Sequence, residues 1–90
     1  RRRTVCYSDL DRNGHMNNTR YLEWIDDLMP SDFHREHGLK EMTICYLAES
    51  WEGQQLDMYW DFPEEDVMQV DFYRENGEKQ ERVFSARFQY

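Results

Sequence analysis

The sequence has few of the residues that mark several common protein classes. Its 90 residues include two cysteines, two prolines and four glycines. Cys6 and Cys45 have neither metal-ligand spacing nor a secretory context, so no disulfide is predicted, and we expect reduced, buried thiols in a cytoplasmic protein. No apolar run approaches the roughly 18 residues that a membrane helix needs. A soluble protein with no membrane partner is therefore expected.

Basic residues are also scarce. Eleven Lys and Arg stand against nineteen Asp and Glu, a net charge of -8, which argues against a nucleic-acid partner. The cations are partly segregated, because Arg1 to Arg3, Arg12 and Arg20 all lie within the first twenty residues. These side chains are either solvated charges or a surface that attracts an anionic partner, and the sequence leaves both interpretations open.

What the chain does contain is typical of a globular domain. Hydrophobic residues make up 39% of the chain and aromatic residues 16%, which is more than a disordered segment carries. A domain of this size buries only about 60% of the surface that its unfolded chain exposes, so we expect it to pair with another unit. The chain opens on Arg1 within an apparent strand. We therefore predict one domain over residues 1–90, within a longer protein.

The first half of the chain predicts a strand, a loop and a helix. Thr4 to Tyr7 is a short strand candidate, and the polar stretch from Ser8 to Asn18 has no period and predicts a loop. A helix then follows, begins at Asn17 or Asn18 and ends at Pro30. Ser31 to His37 predicts a shorter helical connector. The apolar positions of the main helix recur at helical spacing: Tyr21, Leu22, Trp24, Ile25, Leu28 and Met29.

After Lys40 the hydrophobic period changes from helical to alternating, which is typical of half-buried strands. Four strands are predicted, with a hairpin turn at Asn76-Gly77 before the last. The fold class is therefore α+β, with an antiparallel sheet laid over one hydrophobic helix. One face of each strand is predicted to carry, at alternate positions, Met42 to Ala48, Leu56 to Phe62, Met68 to Phe72 and Phe84 to Tyr90.

The loop before the helix is the strongest candidate for a functional site. Asp11, Asn13 and His15 alternate along it, and the start of a helix presents unpaired N–H groups and the positive end of the helix dipole. A carboxylate, an amide and an imidazole beside such a helix start form a plausible site for acid–base chemistry and oxyanion stabilisation. The alternative is that these residues only fix a turn by local hydrogen bonds while His15 packs.

The same loop partly matches a calcium-binding EF-hand. Asp9, Asp11, Asn13 and Gly14 occupy its first, third, fifth and sixth positions. The twelfth position, which supplies a bidentate Glu in that motif, is Arg20. We therefore predict no metal site.

The segment from Ser8 to Trp24 resembles the carboxy-terminal hotdog domain of acyl-acyl-carrier-protein thioesterases. The resemblance continues through Pro30 and through the strand from Met42 to Glu49. It implies a hotdog fold, an antiparallel sheet wrapped around one central hydrophobic helix. It also implies hydrolysis of fatty acyl-acyl-carrier protein to free fatty acid, terminating fatty acid synthesis, with no metal or organic cofactor. In that family an amino-terminal hotdog half completes the protein.

The resemblance also implies the catalytic residues. Asp11, Asn13 and His15 match the family's Asp-x-Asn-x-His, and Glu49 matches the acidic residue of the facing strand. Ser50 stands where plant members often have Cys, so a carboxylate and water are favoured over a thiolate. In the expected mechanism Glu49, oriented by His15 and Asn13, activates water or attacks the thioester, and Asp11 holds the amide of Asn13.

Several alternatives remain open from the sequence. A shorter form of the loop occurs in hotdog acyl-CoA thioesterases, whose homodimers or tetramers complete each other's sites. A non-catalytic hotdog module that binds acyl chains is another possibility. The expected partners are accordingly acyl carrier protein with its fatty acyl thioester, and a second hotdog domain or an identical copy.

Overall fold

The computed structural model describes residues 1–90 as a five-stranded antiparallel sheet with two α-helices and one short 3-10 helix. The strands lie side by side in the order β1-β3-β4-β5-β2. Along the chain the elements are β1 (Arg2–Thr4), the 3-10 helix (Tyr7–Asp9), α1 (Asn18–Asp26), α2 (Ser31–Glu36), β2 (Glu41–Tyr46), β3 (Gln55–Glu64), β4 (Val67–Asn76) and β5 (Lys79–Gln89).

The core lies between α1 and one face of the sheet. Tyr21, Trp24 and Ile25 are the buried residues of α1, and the Tyr21 ring stacks on that of Phe84 with centroids 4.8 Å apart. Because the predicted helix packs its apolar stripe on an antiparallel sheet, the predicted α+β hotdog fold is confirmed. The sheet side of the core is formed by Leu56, Met58, Met68, Val70, Phe72, Phe84, Ala86 and Phe88.

The strand register confirms the alternation predicted from the sequence. Met58 is paired with Phe72, Phe72 with Phe84, and Phe84 with Tyr46. These paired residues point to the same side of the sheet, since directly opposed residues of antiparallel strands share a face. The opposite face carries polar side chains, such as Gln69, whose amide donates a hydrogen bond to the hydroxyl of Ser85.

Two predicted boundaries differ from the structure. The first strand covers Arg2–Thr4 rather than Thr4 to Tyr7, because the Asp9 carboxylate accepts the N–H of Cys6 at 2.9 Å and closes a 3-10 turn there. A side chain that bonds nearby backbone in this way competes with strand pairing. Helix α1 ends at Asp26, four residues before Pro30, since the following chain tightens into a turn in which Leu28 N–H donates to the carbonyl of Ile25.

The prediction that both cysteines are buried is wrong. Cys6 and Cys45 are free and exposed. Cys45 pairs with Ser85 on the polar face of the sheet. Successive side chains of a strand alternate between the two faces, so the position of Cys45 in β2, and not its apolar character, decides which face it occupies. Cys6 lies outside the sheet, between β1 and the 3-10 helix.

The hairpin between β4 and β5 is displaced by one residue from the predicted turn. Asn76 is still paired with Lys79, so the two loop residues are Gly77 and Glu78. Gly77 has φ of 68°, and no residue other than glycine has positive φ. A two-residue turn with only its first residue at positive φ is the type II′ turn of hairpins.

Neither helix of this chain combines the length and the apolar character that a membrane crossing requires.

Candidate active site

A cavity of about 520 Å³ opens at the start of α1, between the loop that precedes this helix and the segment that follows β2. Its walls include all four predicted site residues, together with Asn18 and Tyr46. The fold therefore brings Asp11, Asn13 and His15 to the same cavity as Glu49, although Glu49 comes from a different part of the chain.

His15 and Glu49 form the closest pair of titratable side chains in the cavity. The Nε2 atom of His15 lies 3.3 Å from Oε2 of Glu49, with the side chains 30% and 61% exposed. Backbone contacts set this distance, because Met16 N–H donates to the carbonyl of Ser50 at 2.7 Å and a bridge pairs His15 with Trp51. The imidazole and the carboxylate thus meet at a surface that solvent and substrate can reach.

Asp11 shapes the loop through its backbone. Its Oδ1 accepts the N–H of Asn13 at 2.9 Å and that of His15 at 3.2 Å, and its own N–H donates to the carbonyl of His15 at 2.8 Å. The carboxylate therefore holds the backbone amide of Asn13 and not its side chain. The Asn13 carboxamide makes no hydrogen bond within the chain and lines the cavity, so it is free to bind a ligand.

The start of α1 leaves one backbone donor unused beside this cavity. Asn17 caps the helix, with its Oδ1 accepting Thr19 N–H at 3.0 Å, and its own N–H donates to the carbonyl of Asp9 at 2.8 Å. Asn18, the first helical residue, lines the cavity, and its N–H has no acceptor in the chain. A free N–H at the positive end of a helix is suited to an oxyanion.

Asp9 is a buried support of the loop whose role sequence reasoning missed. Its side chain is 3% exposed and accepts Arg20 Nε at 2.9 Å as well as Cys6 N–H. Burial by itself would raise the pKa of Asp9, but these hydrogen bonds and the guanidinium charge outweigh it and lower the pKa. The available signal was the spacing of Asp9 and Arg20, which places them at the two ends of the loop.

The two loop arginines differ in their surroundings. Arg20 forms ion pairs with Asp9 and Glu23. Arg12 is exposed and makes no ion pair. Of the two loop arginines, Arg12 is therefore the one that remains free to attract an anionic partner.

Ser50, at the position where a cysteine nucleophile was considered, is fully buried. Its Oγ accepts the hydroxyl proton of Tyr21 at 3.0 Å, and burial raises the pKa of that tyrosine despite this bond. The Ser50 hydroxyl thus joins the segment that follows β2 to α1 beneath the cavity.

The remaining candidate ligands do not gather into a metal centre. His34 Nε2 lies 2.8 Å from the carbonyl of Asp26, and His37 Nδ1 lies 3.0 Å from that of Phe33. No group of three or more His, Cys, Asp or Glu side chains has the geometry to hold a metal ion.

A sheet that wraps one buried helix, with an Asp-x-Asn-x-His loop and a facing glutamate at the start of that helix, defines a hotdog-fold protein of the thioesterase type. The family model of the acyl-ACP thioesterase C-terminal domain matches residues 1–90. The chain therefore belongs to this family, which confirms the resemblance seen in the sequence.

Individual relatives agree with this assignment. The chain is 37% identical over 46 residues to the chloroplastic dodecanoyl-[acyl-carrier-protein] hydrolase of Cinnamomum camphora and 41% identical over 46 residues to the chloroplastic palmitoyl-acyl carrier protein thioesterase of Arabidopsis thaliana. These matches cover 51% of this chain, and 12% and 11% of the relatives. The crystal structure of an acyl-ACP thioesterase from Bacteroides thetaiotaomicron superposes with a TM-score of 0.88 at 30% identity, over 99% of this chain and 35% of that one.

Proposed function

We propose that this chain provides the catalytic site for hydrolysing the thioester of a fatty acyl-acyl-carrier protein. The observation that carries the proposal is the contact of 3.3 Å between His15 Nε2 and Glu49 Oε2, beside a helix start with a free N–H. Three relatives of the same family bear names that describe this activity. The chain spans about an eighth of the curated relatives and a third of the solved structure, so the activity concerns the whole protein that contains it.

In the proposed reaction Glu49 acts on water or directly on the thioester carbonyl carbon. As a base it takes one proton from water while the hydroxide forms a bond to the carbonyl carbon. The tetrahedral intermediate then expels the carrier thiolate, which takes back the proton held by Glu49, and the products are a free fatty acid and a thiol. If Glu49 attacks the carbonyl carbon directly, the thiolate leaves behind an anhydride between the acyl group and Glu49, which water then hydrolyses to the same products. His15 orients the Glu49 carboxylate, the free carboxamide of Asn13 binds the substrate, and Asp11 keeps their loop in shape.

The oxyanion of the intermediate is assigned to the N–H of Asn18. This donor has no partner within the chain and is the first N–H of α1. Preorganised hydrogen-bond donors at the position where negative charge develops in the transition state are usually the largest single contribution to the rate enhancement. No step of the reaction needs Ser50, which is buried under the cavity.

A second hotdog unit is proposed to complete the protein, either as another domain or as an identical copy. Strand β2 lies at the edge of the sheet and pairs only with β5, and its Met42 is 49% exposed. Glu41 is the only charged residue of β2, although soluble proteins usually protect long edges with charge. The expectation of a cytoplasmic location stays a prediction, since the two plant relatives are named chloroplastic.

Replacing the proposed catalytic carboxylate tests the function. In the full-length protein, Glu49→Gln should lower kcat by about a thousandfold, because the amide cannot accept the proton. Initial rates are measured on fatty acyl-acyl-carrier protein and on acyl-CoA with the same acyl chain. The carrier-protein substrate is expected to give the higher kcat/KM.

Glu52→Gln is the matched control, since Glu52 is exposed three residues after Glu49 but does not line the cavity. It should retain wild-type turnover, and both variants should keep the wild-type urea midpoint. A Glu49→Gln enzyme that still turns over at the wild-type rate would refute the assignment.

A further inference from the structure

Nothing in the cavity itself fixes the His15 ring apart from Glu49. Its Nδ1 has no hydrogen-bond partner in the chain, and its Nε2 contacts only Glu49. Catalytic histidines are usually oriented by a group on the second ring nitrogen. The orientation of this imidazole must therefore come from packing.

Trp51 supplies that packing. Its ring meets the His15 ring edge to face, with centroids 5.6 Å apart and planes at 84°. The same two residues are paired through their backbones. Trp51 comes two residues after Glu49, so one short segment carries both the carboxylate and the ring that contacts the imidazole.

Arg74 of β4 contacts both Glu49 and Trp51 of this segment. Its Nη1 donates to the carbonyl of Glu49 at 2.5 Å, its Nη2 donates to the Glu81 carboxylate at 2.9 Å, and its guanidinium lies 5.6 Å from the centre of the Trp51 ring. The side chain is 12% exposed. A planar guanidinium can make all three contacts at once, whereas a lysine ammonium offers no flat face and no fork of donors.

We propose that Trp51 and Arg74 are positioning residues that set the geometry of the His15–Glu49 pair, an inference that rests on the proposed function. Neither residue lines the cavity, so each acts through His15 or Glu49 and not on the substrate. Trp51 fixes the plane of the imidazole, and Arg74 fixes the backbone from which the carboxylate extends. An error of about 1 Å in such a pair can cost about a hundredfold in rate.

Steady-state kinetics of the full-length protein on its acyl-carrier-protein substrate tests this role. Trp51→Ala should lower kcat about tenfold and leave KM within about twofold, because ground-state binding does not involve the tryptophan. Trp51→Phe should restore most of kcat, since phenylalanine keeps an aromatic contact with the imidazole. Trp60→Ala, which removes another partly exposed tryptophan away from the cavity, should leave kcat unchanged.

Arg74 is tested in the same assay. Arg74→Lys keeps the charge but should also lower kcat about tenfold at constant KM, because the ammonium cannot reproduce the forked contacts. Arg82→Lys is the matched control, since Arg82 contacts Asp71 on the other face of the sheet. Because both residues act on the same pair, Trp51→Ala combined with Arg74→Lys should lose less than the product of the two single losses.

The outcomes separate this inference from the proposed function. A wild-type protein that hydrolyses no thioester overturns both. Loss of turnover in Glu49→Gln together with wild-type kcat in Trp51→Ala and Arg74→Lys overturns the positioning role alone. A tenfold loss that Phe fails to restore, or that appears in KM instead of kcat, also overturns it.

Discussion

Asp9 shows how a residue outside the cavity can control its shape. The buried carboxylate accepts hydrogen bonds from the Arg20 guanidinium and from the backbone N–H of Cys6. The backbone carbonyl of Asp9 accepts the N–H of the helix cap Asn17. One residue thus joins the end of β1, the loop of the candidate site and the start of α1. Replacing a residue with several hydrogen-bond partners lowers the free energy of unfolding strongly, because all of these partners lose a hydrogen bond together.

We predict that Asp9→Asn destabilises the fold by about 2 kcal/mol at pH 7, since the amide cannot accept all of these donors. The pKa of Asp9 is lowered below its ordinary value of 3.8 in the folded chain. Its carboxylate therefore contributes stability above that pH, and the contribution is lost as pH falls through 3.8 toward the lower folded value. Urea unfolding at pH 7 and pH 3 checks this expectation.

The difference between wild type and Asp9→Asn should shrink at the lower pH. Asp61→Asn serves as the control, because Asp61 is exposed and makes no ion pair, and it should leave stability unchanged at both pH values. An unfolding free energy for Asp9→Asn equal to that of the wild type at pH 7 would contradict the argument.

Ser50 lies at a motif position that suggests a nucleophile, but its side chain is buried. A residue's place in a motif suggests chemistry, but its exposure decides whether it can take part. The hydroxyl is fully buried and bonded to Tyr21, so the substitution of Ser for Cys alters a structural contact beneath the site. Its burial, and not its place in the motif, is therefore what argues against Ser50 as the nucleophile.

Among the elements, the hairpin turn between β4 and β5 determines how these two strands pair. Gly77 adopts φ of 68°, a conformation that costs an L-residue with a Cβ about 1 kcal/mol. Asn76, in contrast, belongs to the strand ladder and pairs with Lys79. The turn therefore depends on Gly77 and not on the Asn-Gly pair that the sequence suggested.

Two substitutions separate these descriptions of the hairpin. Gly77→Ala should lower the unfolding free energy by about 1 kcal/mol, while Asn76→Thr should change it by less than about 0.5 kcal/mol. Thermal or urea unfolding measures both. A turn centred on Asn76 and Gly77 would instead require positive φ at both positions and make Asn76→Thr the costly change.

At the scale of the whole molecule, the sheet has two unlike edges. Strand β1 is only three residues long and contains two arginines, whereas β2 is longer and has one charged residue. Short and charged edges discourage pairing with other chains. The asymmetry favours β2 as the side on which a second hotdog unit binds.

A second unit that is an identical copy predicts that the 90-residue chain by itself sediments as a dimer. Met42→Lys should weaken the dimer by at least about tenfold in Kd, because a charge is placed at the exposed apolar edge. Tyr59→Lys is the control, since Tyr59 is 52% exposed on the opposite face of the sheet and should leave the dimer intact. A wild-type chain that stays monomeric at all concentrations would argue against an identical copy as the partner.

Sequence periodicity alone was sufficient to predict an antiparallel sheet packed on one helix, and the family resemblance identified this arrangement as a hotdog fold. The helical stripe from Tyr21 to Met29 and the alternation after Lys40 report burial directly, because each element must turn its apolar side to one core. The loop from Asp9 to Asn18 was also recognisable, as its polar composition and its place before a helix are local properties. The family resemblance added Glu49 as the partner of this loop.

What only the tertiary structure decided are contacts between residues distant along the chain and the burial of individual side chains. The 3.3 Å approach of His15 to Glu49, the support by Trp51 and Arg74, and the exposure of both cysteines depend on strand register and loop closure. Such features have no local signature, since a shift of one residue in register would reverse each side chain's face. The sequence by itself determined which elements form and where polar chemistry is concentrated, and packing determined which of those groups meet.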